Sequence, residues 1–136
     1  MTPLYAELNR WMGTPFIWGE TDCIMVLCDW IKTVRGVDPA SGDRFTYDDA
    51  GSCQRATRYF SQPVETLDSR FAPAGIRRGN ELRAGDVGLI KLPDERHPVG
   101  GIWTGDCWGC KGPNGTTTVA PDVAEVLAFW SVGYEA

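Results

Sequence analysis

The spacing of apolar residues changes near Gly79, and this change limits the folds that the chain can adopt. Before Gly79, apolar residues recur every three or four positions, as Leu4, Leu8 and Trp11 do, and this period is typical of amphipathic helices. After Gly79, short apolar runs alternate with Gly, Pro and Asn turns, a pattern typical of strands. Helices followed by strands predict an α+β fold in which N-terminal helices pack on a C-terminal antiparallel β-meander.

The same pattern predicts where the individual elements lie. Helices are predicted over residues 3–12, 23–35 and 63–71, and one helix or two short ones within residues 47–60. Strands are predicted over residues 86–91, 101–104, 107–111, 116–120 and 127–132, with a loop over residues 72–79. No repeat or linker interrupts the chain, so we interpret residues 1–136 as a single domain.

Composition and charge argue against several classes of function. The formal net charge of -5 leaves no basic face for nucleic acid, and no apolar run has the length of a membrane span. The start of the chain, MTPLYAELNRWMG, lacks the pattern of a signal peptide, so export is not expected. Five cysteines without such a signal predict free thiols in a reducing compartment. Six tryptophans favour an interface with a partner.

The stretch TPFIWGETDCIMVLCDW, residues 14–30, places Asp22 and Cys23 at the predicted start of the second helix. Asp is a favoured N-cap because its carboxylate accepts hydrogen bonds from the free N–H groups of the first turn. Those N–H groups also stabilise a thiolate or a developing oxyanion, so Cys23 is a candidate nucleophile and its backbone N–H a candidate oxyanion donor. The alternative is that Cys23 is a small buried apolar residue, as many free cysteines are.

Three segments resemble landmarks of the NlpC-type peptidases, small papain-like cysteine enzymes that cut peptidoglycan stem peptides. They are Phe16-Ile-Trp-Gly19 with Asp22-Cys23, then Leu82-Arg-Ala-Gly-Asp-Val87, then Val99-Gly-Gly-Ile-Trp-Thr-Gly105. The resemblance implies a papain-like fold with Cys23 in the place of the nucleophile and Phe16, Trp18 and Trp103 beside the pocket. Short domains of this type are typical of phage and prophage tail gene clusters, so the resemblance also implies a place in a tail tip.

Several positions depart from the pattern of the active peptidases. Phe16 replaces a Tyr that helps the oxyanion site, the pair Ile24-Met25 replaces two small residues, and Val99 occupies the place of the catalytic His. The third polar residue of the family falls near Cys110 and Lys111, and neither side chain orients an imidazole well. These departures predict a degenerate active site.

His97 is the only histidine in the chain and therefore the only candidate for an imidazole base. Residues 97 and 99 of one strand share a face, but His97 lies about 6.6 Å along the strand from the place of the family's histidine. A bulge at Pro98 and the Gly100-Gly101 pair would bring His97 within reach of Cys23. Without a bulge, we expect His97 to be an exposed residue of the polar loop 93–97.

The motif Cys107-Trp-Gly-Cys110 has three interpretations. It resembles a thioredoxin redox motif, although the Gly-Pro-Asn-Gly turn that follows prevents the helix found there. It could supply two thiolates to a metal or iron–sulfur site, with Cys23 as a third ligand. The simplest interpretation is a pair of strand thiols, and we predict no cofactor.

Two hypotheses about function follow. The first is a degenerate NlpC-like domain that serves as a structural or partner-binding piece of a phage tail, in the virion or, during assembly, in the bacterial cytoplasm. Its expected partners are other tail or baseplate proteins, with peptidoglycan as a further candidate. The alternative is an active peptidase or amidase on peptidoglycan stem peptides, with Cys23 as nucleophile, His97 as base and Asp22 as helix cap.

Overall fold

The computed structural model of this chain describes residues 1–135, and these residues form an α+β fold with short helices before an antiparallel sheet. The helices are α1 (Pro3–Met12), α2 (Met25–Arg35), α3 (Ala50–Thr57) and α4 (Pro63–Phe71). The strands are β1 (Arg77–Arg78), β2 (Val87–Lys91), β3 (Val99–Trp103), β4 (Trp108–Gly112), β5 (Gly115–Val119) and β6 (Glu125–Ser131).

The sheet has six strands in the order β1-β6-β2-β3-β4-β5, and all its neighbouring strands are antiparallel. Strands β2 to β5 form the predicted meander, but β6 returns to pair with β2 rather than extending the meander beyond β5. The predicted loop over residues 72–79 contains a 3-10 turn, Ala72–Ala74, and the two-residue strand β1. Periodicity gives no signal for so short a strand, because β1 exists only through its pairing with β6.

Helices α1 and α4 have the predicted bounds, and α1 shows why. The Thr2 hydroxyl accepts a hydrogen bond from the Tyr5 backbone N–H, and Pro3 takes the first helical position, where its missing N–H costs nothing. Leu4 and Trp11 are buried on one stripe, and Gly13 ends the helix. The amphipathic period therefore fixed both the helix and its buried face.

Helix α2 begins at Met25, two residues later than predicted. Asp22 still provides the cap, because its carboxylate accepts hydrogen bonds from the backbone N–H groups of Ile24 and Met25. Residues Cys23 and Ile24 form a turn between the cap and the helix. The helix ends at Gly36, whose φ of 78° is in the left-handed region that glycine adopts without strain.

The core consists of two apolar clusters on opposite faces of the sheet. The larger lies between the helices and the sheet, and it includes Trp11, Trp30 and Trp130. The smaller is centred on Trp108, which packs over Gly88 and Gly101, where any side chain would collide with the indole. Most of the tryptophans therefore fill the core, and Trp18 and Trp103 are the two that are only half-buried.

The longest helix within residues 1–135 has 11 residues, and none there combines the length and the apolar character that a membrane crossing requires.

Candidate functional site

Cys23 lies in the turn that leads into α2, and it is half-buried. The backbone N–H of Gly100 in β3 interacts with its sulfur. A side chain at Gly100 would come within 2.8 Å of the Cys23 carbonyl oxygen and 2.7 Å of a Leu27 methyl carbon. The start of α2 therefore faces the middle of the sheet, and the absence of a side chain at Gly100 allows this close approach.

Asp22 holds this turn in place through four hydrogen bonds to its buried carboxylate. One oxygen accepts from the backbone N–H groups of Ile24 at 3.0 Å and Met25 at 2.9 Å. The other accepts from the Gly19 N–H at 2.9 Å and from the Tyr47 hydroxyl at 2.7 Å. The carboxylate thus joins the aromatic segment before α2, the helix start and the segment before α3.

The surroundings of Cys23 favour the neutral thiol. Burial is the largest of the effects that together raise the pKa of Cys23 to about 12; the neighbouring Asp22 carboxylate acts in the same direction, and the Gly100 N–H acts in the opposite one. The expectation from the helix start alone was a stabilised thiolate. Desolvation and a like charge outweigh the helix N-terminus here, so Cys23 carries its proton at neutral pH.

His97 lies in the loop before β3 and lines the same cavity as Cys23. Its imidazole packs edge-on against Phe60, with ring centroids 4.9 Å apart. Within residues 1–135 no hydrogen bond joins the imidazole to the Cys23 sulfur. His97 is half-buried rather than fully exposed, because the ring of Phe60 covers one side of it.

Strand β3 is regular and contains no bulge that would move His97 toward Cys23. Its register with β2 runs unbroken from Val87↔Ile102 to Ile90↔Val99, and the shift in this part of the sheet lies between β2 and β6. Val99, in the place of the family's histidine, packs with the smaller cluster and also borders the cavity that Cys23 lines. The side of β3 that faces Cys23 carries Gly100 instead.

A cavity of about 240 Å³ opens beside Cys23 and His97. Phe16 and Trp18 line it, as expected, and their rings meet edge-to-face at 5.1 Å. Trp18 also packs on Phe60 at 6.2 Å. Trp103 does not lie here: it packs against Trp108, 5.3 Å away, on the opposite face of the sheet, because alternate residues of β3 point to opposite faces.

Three further lining residues have no motif in the sequence: Tyr47, Cys53 and Tyr59. The Tyr59 hydroxyl donates a hydrogen bond of 2.7 Å to the Pro98 carbonyl oxygen, and it also adjoins the Cys23 thiol. These residues come from α3 and the chain on either side of it, and no periodicity there assigns a face. Their role in the cavity could be found only from the tertiary structure.

Cys107 and Cys110 form no disulfide bond with each other, and their surroundings differ. Cys110 is buried in the smaller cluster, where desolvation raises its pKa to about 12, and Cys107 lies beside the Thr104 hydroxyl at 3.3 Å. All five cysteines are free, and within residues 1–135 no group of three or more His, Cys, Asp or Glu side chains is placed to hold a metal ion.

Lys111 lies near the position that holds the third polar residue in the NlpC-type peptidases, and its role here is structural. It is buried, and its ammonium donates hydrogen bonds to the carbonyl oxygens of Trp11 and Thr14 at the end of α1. A cation at this point satisfies carbonyl groups that a helix end leaves free. Lys111 therefore holds α1 to β4, and its ammonium is already engaged there.

Comparison with known proteins identifies the family of the chain. Residues 2–132 match the model of a family described as a domain of unknown function, DUF6950. Neither the curated proteins nor the solved structures contain a significant match to the chain.

Proposed function

We propose that this chain, which belongs to the DUF6950 family, is an NlpC-like domain with a degenerate active site that serves as a structural or partner-binding component of a phage or prophage tail. In this proposal the cleft beside Cys23 binds a ligand or a partner and does not cleave it. The proposal has three parts: a papain-like relationship, the tail location and the loss of turnover.

The observation that carries it is the state of Cys23. A cysteine nucleophile needs a thiolate and a base within hydrogen-bond reach. Here burial holds the thiol neutral, and the only imidazole packs on Phe60. Val99 and Lys111, at the positions where the active enzymes place polar groups, are engaged in packing and in closing α1.

The positions of the three landmark segments support the relationship to the NlpC-type domains. The first leads into α2 through the turn that carries Cys23, the second leads into β2, and the third covers β3. Strands β2 and β3 are adjacent, and β3 faces the start of α2. This arrangement of one helix start against the central strands is what the resemblance implies.

An exposed aromatic residue supports a partner-binding role. Phe45 is 76% exposed and has a φ of 62°, a conformation that is uncommon for a residue with a bulky side chain. Its backbone N–H donates to the Gly19 carbonyl oxygen, which anchors it beside the aromatic segment 16–18. A strained backbone that displays an apolar ring is typical of a site under functional constraint.

Incubation of the purified protein with muropeptides, beside a Cys23→Ala variant, tests the loss of turnover. We expect no release of peptide above the level of the variant. Release by the native chain that the Cys23→Ala variant lacks would overturn the proposal. The tail location is tested by purifying tail particles from a phage that encodes a tagged copy: the tagged chain is expected in the particles, and its absence from them contradicts this part.

An active peptidase or amidase is the second candidate, and two observations favour it. Cys23 and His97 line one cavity, so the two groups that the reaction needs share one space. The Cys23 backbone N–H donates to no group within residues 1–135, which leaves it free to bind an oxyanion. In this case, iodoacetamide alkylates Cys23 selectively below pH 7, and a His97→Ala variant loses that selectivity.

A further inference from the structure

The cavity beside Cys23 is unusual in how few free polar groups it offers. Its wall includes several hydroxyl and charged side chains, yet most of them already have partners within the protein. The Tyr47 hydroxyl donates to Asp22, the Tyr59 hydroxyl donates to the Pro98 carbonyl oxygen, and the Arg70 guanidinium forms an ion pair with Asp43. These side chains are therefore already engaged within the protein.

The smaller polar groups of the wall are engaged in the same way. The Thr57 hydroxyl donates to the Cys53 carbonyl oxygen and the Thr66 hydroxyl to the Thr57 carbonyl oxygen. The Lys111 ammonium is held at the end of α1. What remains is mostly a set of rings and neutral thiols, among them Phe16, Trp18, Phe60, Cys23 and Cys53, together with the half-buried His97 imidazole and the backbone N–H of Cys23.

Charge does not select the ligand either. Glu95 and Arg96, which also line the cavity, are both exposed and therefore lie at its rim. They carry opposite charges, so the rim has no net attraction for an anion or a cation. Inside, Asp22 is surrounded by four hydrogen-bond donors and Asp43 is paired with Arg70.

The size of the cavity sets the size of what it can hold. An apolar cavity of about 150 Å³ in another protein stays dry and holds a benzene molecule. The cavity here, at about 240 Å³, has room for a larger ring system. Water gains little over most of this wall, because it needs two to four polar partners and rings and thiols supply few.

We propose that this cavity binds one uncharged apolar group of about the size of an indole ring, mainly by burial of its surface. This inference rests on the proposed function, in which the cleft binds rather than cleaves, and it names the chemistry of what is bound. The group could arrive as a free small molecule or as the side chain of a protein partner. Both sources share the same chemistry, and the experiment separates them.

The test is a titration of the full chain with indole and toluene, followed by NMR at the methyl group of Met25, which lines the cavity and is buried. We expect saturable shifts with both compounds and binding of benzylammonium, a charged ring of similar shape, to be at least about tenfold weaker. N-acetyltryptophanamide separates the sources, since its binding supports a partner's side chain and binding of indole alone supports a small molecule. No saturable shift with indole and toluene, or equal binding of benzylammonium, overturns the inference.

Two variants locate the binding. Ala40→Leu places a larger side chain in the wall and is expected to weaken indole binding about tenfold or more, whereas Ala56→Leu, at an exposed position of α3 that does not line the cavity, retains it. Undiminished binding to a folded Ala40→Leu variant contradicts the assignment to this cavity. If that variant does not fold, the titrations of the native chain with indole, toluene and benzylammonium still test the inference. Cys23-dependent cleavage of muropeptides overturns the proposed function alone, and failure of the titration overturns this inference alone.

Discussion

The hydroxyl of Tyr47 donates a hydrogen bond of 2.7 Å to the carboxylate of Asp22, across 25 positions of sequence. Asp22 caps the turn before α2, and Tyr47 precedes α3, so this bond joins two walls of the cavity. Both residues are buried. The position of Cys23 therefore depends on a carboxylate that it adjoins and on a tyrosine that comes from a different part of the chain.

Replacement of Asp22 by Ala leaves three backbone N–H groups and one hydroxyl without their acceptor. We expect a loss of about 2–4 kcal/mol in the free energy of unfolding, since a cap and buried partners are lost together. Tyr47→Phe removes one of the four bonds and is expected to cost about 1 kcal/mol. Urea unfolding measures both, and a cost for Asp22→Ala below that of Tyr47→Phe contradicts the role of Asp22.

Gly100 sets how closely α2 approaches the sheet. A Cβ atom there would lie 2.7 Å from a Leu27 carbon and 2.8 Å from the Cys23 carbonyl oxygen, so Gly100→Ala forces the helix start away from β3. We expect a loss of about 1–3 kcal/mol, the usual cost of overpacking a core. Gly112→Ala, in β4, is the matched control because nothing lies within 4 Å of its added carbon. Equal unfolding midpoints for the two variants would count against this packing.

The buried thiols predict that stability falls at alkaline pH. The pKa values of Cys23 and Cys110 are raised to about 12 by burial, above the value of about 8.5 for a free thiol. Below about pH 8.5 both thiols are neutral in the folded and in the unfolded chain, so their contribution to stability is complete. Above that pH the thiols of the unfolded chain ionise first, and stability is lost as the pH rises toward about 12. Each thiol contributes a slope of about 1.4 kcal/mol per pH unit in this window.

Urea unfolding under reducing conditions between about pH 8 and pH 9.5 measures this slope. The Cys23→Ala variant lacks one of the two thiols, and we expect its stability to fall less steeply with pH than that of the native chain. Its stability at pH 7 serves as the reference, because the thiols are neutral there. A slope that Cys23→Ala leaves unchanged is the result that contradicts the burial of this thiol.

The sequence alone was enough to predict the helices and strands whose signal is local. The bounds of α1 and α4 were predicted correctly: both helices begin at a proline, and α1 also has an amphipathic stripe and a glycine at its end. The strands β2 to β6 were found within a few residues for a similar reason, since turns separate them. The pairing of β6 with β2 was not predicted, because apolar runs do not say which strands are neighbours.

The site shows where local patterns stop being informative. The cap at Asp22 followed from residue type and spacing, whereas Cys23, predicted in the first turn of the helix, lies in the turn before α2. The state of the thiol did not, because it depends on burial by segments far along the chain and on the adjacent carboxylate. Tyr47 and Tyr59 reach the cavity through tertiary packing alone, and the placement of Trp103 on the far face depended on which residues of β3 point toward α2.

The pH dependence of Cys23 alkylation tests most directly whether this site is inactive. The rate of reaction with iodoacetamide is measured by mass spectrometry of the Cys23 peptide, in the native protein and in urea, from pH 6 to pH 9. Because burial holds the thiol neutral, we predict that at pH 7 native Cys23 reacts at least about tenfold more slowly than in urea, and that its rate keeps rising through pH 9. A native rate that exceeds the rate in urea and reaches a plateau below pH 7 would show an activated thiolate and contradict the account.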